Sequence, residues 1–135
     1  MPAPYTGGCQ CGGVRYVLKA EPIRTVACHC SECQKQSGSA FGMSMIVPEA
    51  SLTVTGITKS YVRTADSGNR NEGVFCPECG NRIYQIPRHF KDALVLKPGT
   101  LDDTSWVRPS HFAFMKSCQG WVPIPEGVTV LDGQN

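Results

Sequence analysis

Seven of the eight cysteines in this chain of 135 residues stand in three short knuckles. The knuckles read Cys9-Gln10-Cys11, Cys28-His29-Cys30-Ser31-Glu32-Cys33 and Cys76-Pro77-Glu78-Cys79. Thiolates this close in sequence can reach a single ion because the chain turns tightly around it, and four of them satisfy tetrahedral Zn²⁺. A disulfide framework is the first alternative, although disulfides usually join distant positions, and a redox dithiol is the second. The clustering favours metal binding.

The first and third knuckles resemble each other. A glycine follows the second cysteine of each, and a tyrosine lies five residues beyond that cysteine, at Tyr16 and Tyr84. Glycine adopts positive φ readily, which lets backbone N–H groups point at thiolate sulfur. Unless the likeness is a coincidence, the two knuckles are halves of one closed structural zinc site with four ligands, Cys9, Cys11, Cys76 and Cys79. Spacing alone also allows a different set to share an ion, namely Cys9, Cys11, Cys28 and Cys30.

The middle knuckle offers three thiolates, from Cys28, Cys30 and Cys33. Three protein ligands and an open fourth position are typical of a catalytic zinc. The alternatives are a site closed by His29 or Cys118, a site without metal, and a redox cluster. His29 lies between two ligands, so we expect its side chain to point away from the metal. Cys118 lies far along the chain, and we expect a small buried side chain there.

Short strands are predicted to position these knuckles. The chain has 14 glycines and 10 prolines, and 18% of its residues are charged, which is typical of strands joined by many turns. A helical segment is predicted at Ser31–Gly38, where Ser31 can cap the N-terminus and Gly38 can end the helix. A second helical turn is predicted at Leu101–Ser105. Strands are predicted over Val14–Lys19, Thr25–Cys28, Phe41–Val47, Leu52–Thr55, Ser60–Thr64, Gly73–Phe75, Asn81–Ile86, Ala93–Lys97 and His111–Phe114.

Composition and charge argue against several classes of protein. The longest apolar runs, such as Ala93-Leu94-Val95-Leu96, are far shorter than the ~20 residues of a membrane span. The N-terminus has neither the basic nor the apolar region of a secretory signal, so we expect a cytoplasmic protein. A formal net charge of +2 without a basic run disfavours a nucleic-acid partner. We predict one domain over residues 1–135.

Five motifs follow one another along the chain: Gly8-Cys9-Gln10-Cys11-Gly12, Cys28-His29-Cys30-Ser31-Glu32-Cys33, Gly38-Ser39-Ala40-Phe41, Phe75-Cys76-Pro77-Glu78-Cys79-Gly80 and Gly99-Thr100-Leu101-Asp102-Asp103. This series resembles the glutathione-dependent formaldehyde-activating enzyme family, which also includes centromere protein V, over about residues 6–123. The resemblance implies a mainly-β, tent-like zinc fold that is also found in a small zinc chaperone of Rab GTPases. It implies a structural zinc on Cys9, Cys11, Cys76 and Cys79, and a catalytic zinc on Cys28, Cys30 and Cys33.

The resemblance also implies an activity, that of a zinc-dependent carbon–sulfur lyase which condenses formaldehyde with glutathione to S-(hydroxymethyl)glutathione. The expected partners are a small-molecule thiol such as glutathione and an aldehyde. His29 or a water molecule is the candidate general acid. A non-enzymatic zinc-binding module for protein interaction is the alternative function.

Two further groups of residues are candidates for contacts with the thiol. A glutathione carboxylate could be held by Lys35, Arg63 or Arg70, unless these side chains are only solvated surface charge. The rim of the second zinc site is expected to include Ser37, Gly38 and Ser39.

Overall fold

The computed structural model describes residues 3–64, 68–87 and 90–133. This part of the chain is mainly β, as the sequence predicts, with one short helix, α1 (Ser31–Ser37). Three 3₁₀ turns cover Glu49–Ser51, Pro98–Thr100 and Met115–Ser117. None of the helices in the described ranges has the length and apolar character of a membrane span. The strands, in chain order, are β1 (Tyr5–Gly8), β2 (Arg15–Leu18), β3 (Arg24–Cys28), β4 (Gly42–Pro48), β5 (Leu52–Thr55), β6 (Lys59–Thr64), β7 (Arg70–Phe75), β8 (Arg82–Pro87), β9 (Ala93–Leu96), β10 (His111–Ala113) and β11 (Thr129–Val130).

The strands form two sheets. The smaller sheet is antiparallel, with the order β1-β2-β5. The larger sheet has the order β11-β10-β3-β4-β9-β8-β7-β6, in which β10 pairs in parallel with both β11 and β3. The remaining neighbours in the larger sheet are antiparallel.

The core lies between the two sheets. Tyr16 and Leu18 of β2 pack in one cluster with Met45 and Val47 of β4 and Leu96 of β9, and all five are at most 2% exposed. Alternate residues of a strand share a face, so this spacing places the apolar side chains of each strand on its inner face. Burying each large apolar side chain stabilises the fold by roughly 1.5–3 kcal/mol.

Each predicted strand overlaps a strand of the structure, with differences of a few residues at the ends. β1 and β11 are additional strands that the sequence did not indicate. Half of β1 is glycine and β11 has two residues, so neither carries an alternating apolar pattern.

The helical turn predicted at Leu101–Ser105 is wrong. The turn lies just before it, at Pro98–Thr100, and Leu101 is extended and forms a β-bridge with Gly7. Leu101 is 6% exposed, so its extended conformation places an apolar side chain in the core. Asp103 accepts hydrogen bonds from the N–H and the hydroxyl of Ser105. Such local bonds from a side chain to nearby groups compete with helix formation.

One face of the larger sheet, which we call the site face, carries the polar side chains considered below. Tyr61, Gly73 and Gln85 are cross-strand partners on β6, β7 and β8, and therefore share this face. The pairing continues through β9 and β4 to β3, where Cys28 lies on the same face. Helix α1 packs over the site face, because Nε2 of Gln85 donates to Oε1 of Gln36 at 2.6 Å.

Candidate metal centres

The first and third knuckles meet in space. The Sγ atoms of Cys9, Cys11, Cys76 and Cys79 all lie within 4.8 Å of one another. Sγ of Cys11 is 3.6 Å from Sγ of Cys9 and 3.6 Å from Sγ of Cys76. A disulfide is only ~2.05 Å long, whereas sulfurs at ~2.3 Å from a tetrahedral zinc are ~3.8 Å apart. The structure therefore groups the four residues as the repeated knuckle predicts, with spacing that fits zinc.

The two knuckles share a backbone hydrogen-bond pattern. In the first, Cys9 N–H donates to Val14 O at 3.0 Å and Gly12 N–H donates to Cys9 O at 3.1 Å. Cys76 and Gly80 make the corresponding bonds in the third, at 3.0 and 2.8 Å. Gly12 and Gly80 have φ of 81° and 74°, a region that costs residues with a Cβ roughly 1–2 kcal/mol. The likeness in sequence thus corresponds to a likeness in structure.

Backbone N–H groups contact the thiols of this four-cysteine cluster. Val14 N–H donates to Sγ of Cys9 at 3.3 Å, and Gly13 N–H donates to Sγ of Cys11 at 3.4 Å. Burial raises the pKa of Cys9, but Val14 N–H and the neighbouring thiols outweigh it and lower that pKa to about 6. Gly13 N–H lowers the pKa of Cys11, but the neighbouring thiols outweigh it and raise that pKa to about 12. One thiolate forms readily and further ones are opposed, which is the repulsion that a divalent cation removes.

The middle knuckle forms a second cluster of three cysteines. The Sγ atoms of Cys28, Cys30 and Cys33 lie within 4.8 Å of one another, and no fourth Cys, His or carboxylate in the described ranges joins them. Cys28 is the last residue of β3. Cys30 is the N-cap of α1, one residue before the predicted Ser31, and its Sγ accepts a hydrogen bond from Cys33 N–H at 3.3 Å. The end of one strand and the first turn of one helix thus set the spacing of this cluster.

The charge in the three-cysteine cluster is shared unequally. Hydrogen bonds with Cys28 and then Cys33 lower the pKa of Cys30 to about 2. The pKa of Cys28 is raised to about 11, first by its hydrogen bond with Cys30. The pKa of Cys33 is also raised, first by Cys28 and then by Cys30. Three thiolates together therefore need a cation, and this all-sulfur donor set suits zinc.

His29 and Cys118 lie outside this cluster. His29 is fully buried, and its ring centroid is 5.0 Å from those of Phe41 and Phe112. Its ring nitrogens have no hydrogen-bond partner among the described residues, and burial lowers its pKa. Cys118 is half-buried, less buried than predicted, and its Sγ donates to Gln119 O at 3.3 Å. Neither side chain is placed to close the site.

A lysine that sequence analysis did not identify lies beside the three-cysteine cluster. Lys97 directly follows β9, and its Nζ donates to Met43 O at 3.3 Å. Burial lowers the pKa of Lys97. The thiols of the cluster oppose this effect because they favour the charged form of the lysine, and Cys33 has the largest effect of the three. Lys97 is half-buried, and a lysine that is partly removed from water usually has a partner. A lysine at the end of the apolar run Ala93–Leu96 is the signal that could have indicated it.

Two cavities flank α1. One, of about 220 Å³, lies between the helix and strands β6 to β8, and its lining includes Lys35 and Arg63 but not Arg70. The other is an open cleft of about 780 Å³ whose lining includes Gly38 and Ser39. Ser37 lines neither cavity, because its hydroxyl is bonded within 2.9–3.0 Å to carbonyl oxygens and to Ser39 at the end of the helix.

The sequence profile of the glutathione-dependent formaldehyde-activating enzyme family matches residues 4–117 of the chain. The protein belongs to this family. The matched region contains all three knuckles, and therefore both cysteine clusters.

Curated fungal relatives carry the same family name provisionally. One from Colletotrichum graminicola is 30% identical over 131 residues, which is 88% of this chain and 67% of that protein. One from Emericella nidulans is 32% identical over 56% of this chain and 39% of that protein. One from Penicillium rubens is 26% identical over 84% of this chain and 63% of that protein. The chain spans about two thirds or less of the length of these relatives.

The fold of this family member is also found in a solved structure. The crystal structure of a Rhodobacter sphaeroides protein superposes with a TM-score of 0.58 at 19% sequence identity. The likeness covers 77% of this chain and 91% of that one. At this level of identity the comparison shows a shared fold and nothing about activity.

Proposed function

We propose that this protein is a zinc-dependent carbon–sulfur lyase that joins a small thiol to an aldehyde and catalyses the reverse step. The thiolate sulfur adds to the carbonyl carbon, a C–S bond forms, and the carbonyl oxygen takes up one proton. With glutathione and formaldehyde the product is S-(hydroxymethyl)glutathione. Membership of the glutathione-dependent formaldehyde-activating enzyme family supports both substrate classes.

The observation that carries the proposal is the three-cysteine cluster. Cys28, Cys30 and Cys33 supply three sulfur atoms within 4.8 Å, and the described part of the chain supplies no fourth ligand. A metal site with three protein ligands keeps a position for substrate, as catalytic zinc sites do. A purely structural site has no need of that open position.

A zinc ion on this cluster would keep a substrate thiol ionised near neutral pH. Three protein thiolates and one substrate thiolate would leave the centre with excess negative charge. Lys97 is placed to offset part of it, because its ammonium interacts with all three cysteines. The chain's main contribution is to hold thiol and aldehyde together, since the two react slowly without a catalyst. His29 faces Phe41 and Phe112, so water is the better candidate for the proton donor.

For the four-cysteine cluster we infer a structural zinc. Four thiolates complete a tetrahedral site and leave no position for substrate. Cys9 and Cys11 lie between β1 and β2, whereas Cys76 and Cys79 lie between β7 and β8. An ion there would hold the smaller sheet to the larger one.

Cys30→Ser and Cys76→Ser separate the two roles. We expect Cys30→Ser to fold, to bind one zinc instead of two, and to lose thiol-dependent aldehyde turnover. Cys76→Ser should lose cooperative folding, because structural zinc contributes on the order of 10 kcal/mol. Native mass spectrometry on protein purified without oxygen or chelator counts the zinc, and Cys118→Ser is the matched control. Equal destabilisation by the first two variants would contradict the division of roles.

The activity itself is tested by following adduct formation from pairs of thiols and aldehydes. Zinc-loaded protein should accelerate at least one pair beyond the uncatalysed rate. Two bound zincs with no acceleration for any pair would reject the enzyme proposal in favour of a non-enzymatic zinc module.

A further inference from the structure

We infer that the cavity between α1 and strands β6 to β8 binds a carboxylate of the substrate thiol, and we call it the cationic pocket. The identity of the thiol rests on the proposed function, whereas the preference for an anion rests on the lining. The pocket is lined by three cations, Lys35, Arg63 and Arg82, and by one carboxylate, Glu32. Its volume of about 220 Å³ suits one arm of a peptide-like thiol, since pockets for whole drug-sized ligands begin at roughly 300 Å³.

The guanidinium of Arg82 occupies space that a side chain on Gly73 would need. A Cβ added to Gly73 would collide with Nη1 of Arg82. Gly73 pairs with Tyr61 on one side and Gln85 on the other, so it lies in the middle of the pocket floor. Absence of a side chain at this position lets a planar guanidinium lie against the sheet. A guanidinium held in this way presents a fork of N–H donors that matches a carboxylate.

Arg63 brings a donor without an acceptor to the same pocket. Its Nε is buried and has no hydrogen-bond partner among the described residues. Oε1 of Glu32 is 3.7 Å from this nitrogen, which is an ion-pair distance but too long for a hydrogen bond. Buried N–H groups without an acceptor are rare because they lose their water without replacement. A ligand carboxylate would supply the missing acceptor.

The pocket walls are tied together by side-chain amides. Nε2 of Gln85 on β8 donates to Oε1 of Gln36 on α1 at 2.6 Å. This bond sets the distance between the helix and the floor of the pocket. The cavity is therefore a built feature of the fold, with its cations held on a sheet and a helix.

The pocket is close to the three-cysteine cluster. Cys30 caps α1, and Lys35 and Gln36 line the pocket from the same helix. Gln36 follows Cys33 by about one helical turn, or roughly 5 Å. Lys97 interacts electrostatically with both Cys33 and Arg82. An extended tripeptide spans roughly 10 Å, so one thiol ligand can place its sulfur at the cluster and a carboxylate in the pocket.

The test uses S-methylglutathione, which keeps both carboxylates but has no free thiol, and its diethyl ester, in which both carboxylates are masked. Calorimetric titration of the zinc-loaded protein should show saturable binding of the acid, and binding of the ester about tenfold weaker or worse. Arg82→Gln and Arg63→Gln should each weaken binding of the acid by about tenfold. Arg70→Gln, an exposed arginine outside the pocket, is the matched control and should change it less than about twofold.

Equal affinity for acid and ester would overturn the inference, as would equal effects of Arg82→Gln and Arg70→Gln or no saturable binding of the acid. The comparison of acid with ester needs no variant, so it holds even if an arginine variant fails to fold. A blocked thiol cannot react, so specific binding of the acid would support the pocket even if no turnover were found. Conversely, turnover of a thiol without carboxylates at the same kcat/KM as glutathione would overturn the pocket and leave the proposed function intact.

Discussion

Single side chains of the core support residues beside the three-cysteine cluster, and Tyr16 is the best-defined example. Tyr16 is 2% exposed, and its hydroxyl lies 2.7 Å from Oγ1 of Thr100. Thr100 in turn donates to the carbonyl of Lys97 at 2.7 Å, so Tyr16 is the donor to Thr100. Burial is the main reason why the pKa of Tyr16 is raised to about 12. The tyrosine that follows the first knuckle is therefore part of the support for Lys97.

At the residue scale we expect Tyr16→Phe to destabilise the protein by about 1 kcal/mol at pH 7, because one buried hydrogen bond is lost. The folded pKa of about 12 lies above the ordinary value of 10.0. The contribution of the neutral hydroxyl is therefore complete below about pH 10 and is lost as the pH rises through 12. Urea unfolding from pH 7 to 11.5 should show the difference between wild type and variant shrinking at the alkaline end. Tyr61→Phe, at an exposed position, is the control, and a difference that stays constant with pH would contradict this assignment.

At the scale of elements, α1 is a helix of seven residues that is secured by its contacts more than by its length. Nε2 of Gln34 donates to His29 O at 2.9 Å and to Ser117 O at 3.0 Å. Gln119 donates to Oε1 of Gln34 at 3.1 Å and accepts from Nε1 of Trp121 at 2.7 Å. This chain of side chains joins the helix that carries Cys33 to the C-terminal segment.

We expect Gln34→Leu to increase local opening of α1, because the hydrogen bonds to two carbonyl groups are lost together. At about 1 kcal/mol each, their loss corresponds to amide exchange roughly 5–30-fold faster across Ser31–Ser37. Hydrogen exchange followed by mass spectrometry measures this directly. Gln119→Leu removes only the outer link and should have a smaller effect. Faster exchange at the first and third knuckles, or equal effects of the two variants, would show that Gln34 does not act through the helix.

At the scale of the molecule, the two cysteine clusters have different relations to the sheets. The four-cysteine cluster takes one pair of cysteines from the loop between two strands of the smaller sheet and the other pair from the loop between two strands of the larger sheet. The three-cysteine cluster is contained in the end of β3 and the start of α1. We therefore expect that loss of a metal ion from the three-cysteine cluster would leave the core closed, whereas loss from the four-cysteine cluster would release one sheet from the other.

A chelator should accordingly remove zinc in two phases, and the two tryptophans report on them separately. The ring of Trp106 stacks on Tyr5 of the smaller sheet with a centroid distance of 4.3 Å. Trp121 is 70% exposed and connects to α1 through Gln119. The fast phase is the loss of the ion from the three-cysteine cluster, and it should change the fluorescence of Trp121, measured in the Trp106→Phe variant. The slow phase is the loss of the ion from the four-cysteine cluster. It should change the fluorescence of Trp106, measured in the Trp121→Phe variant, and it should coincide with unfolding. Simultaneous loss of both ions would contradict two sites of unequal stability.

Much of the fold and of the candidate site could be predicted because its signals are local. The first and third knuckles each turn at a glycine with positive φ a few residues after the first cysteine, Gly12 in one and Gly80 in the other. Tyr16 and Leu18 alternate with more exposed residues along β2, and such alternation identifies a strand with one buried face. The turn at Leu101–Ser105 was predicted wrongly because burial of Leu101, which depends on distant strands, decided its conformation.

The sequence by itself determined the cysteine knuckles and the thiol chemistry they offer, the mainly-β class and the family. These follow from chemistry and dihedral preferences that act over a few residues. Tertiary structure decided between the two groupings of cysteines that spacing left open, and it alone placed Lys97 near Cys33 and Arg82 over Gly73. Such contacts depend on strand order and register, which are set when all strands bury their apolar faces together. No local pattern along the chain encodes that choice, because it is the free energy of the whole core that selects it.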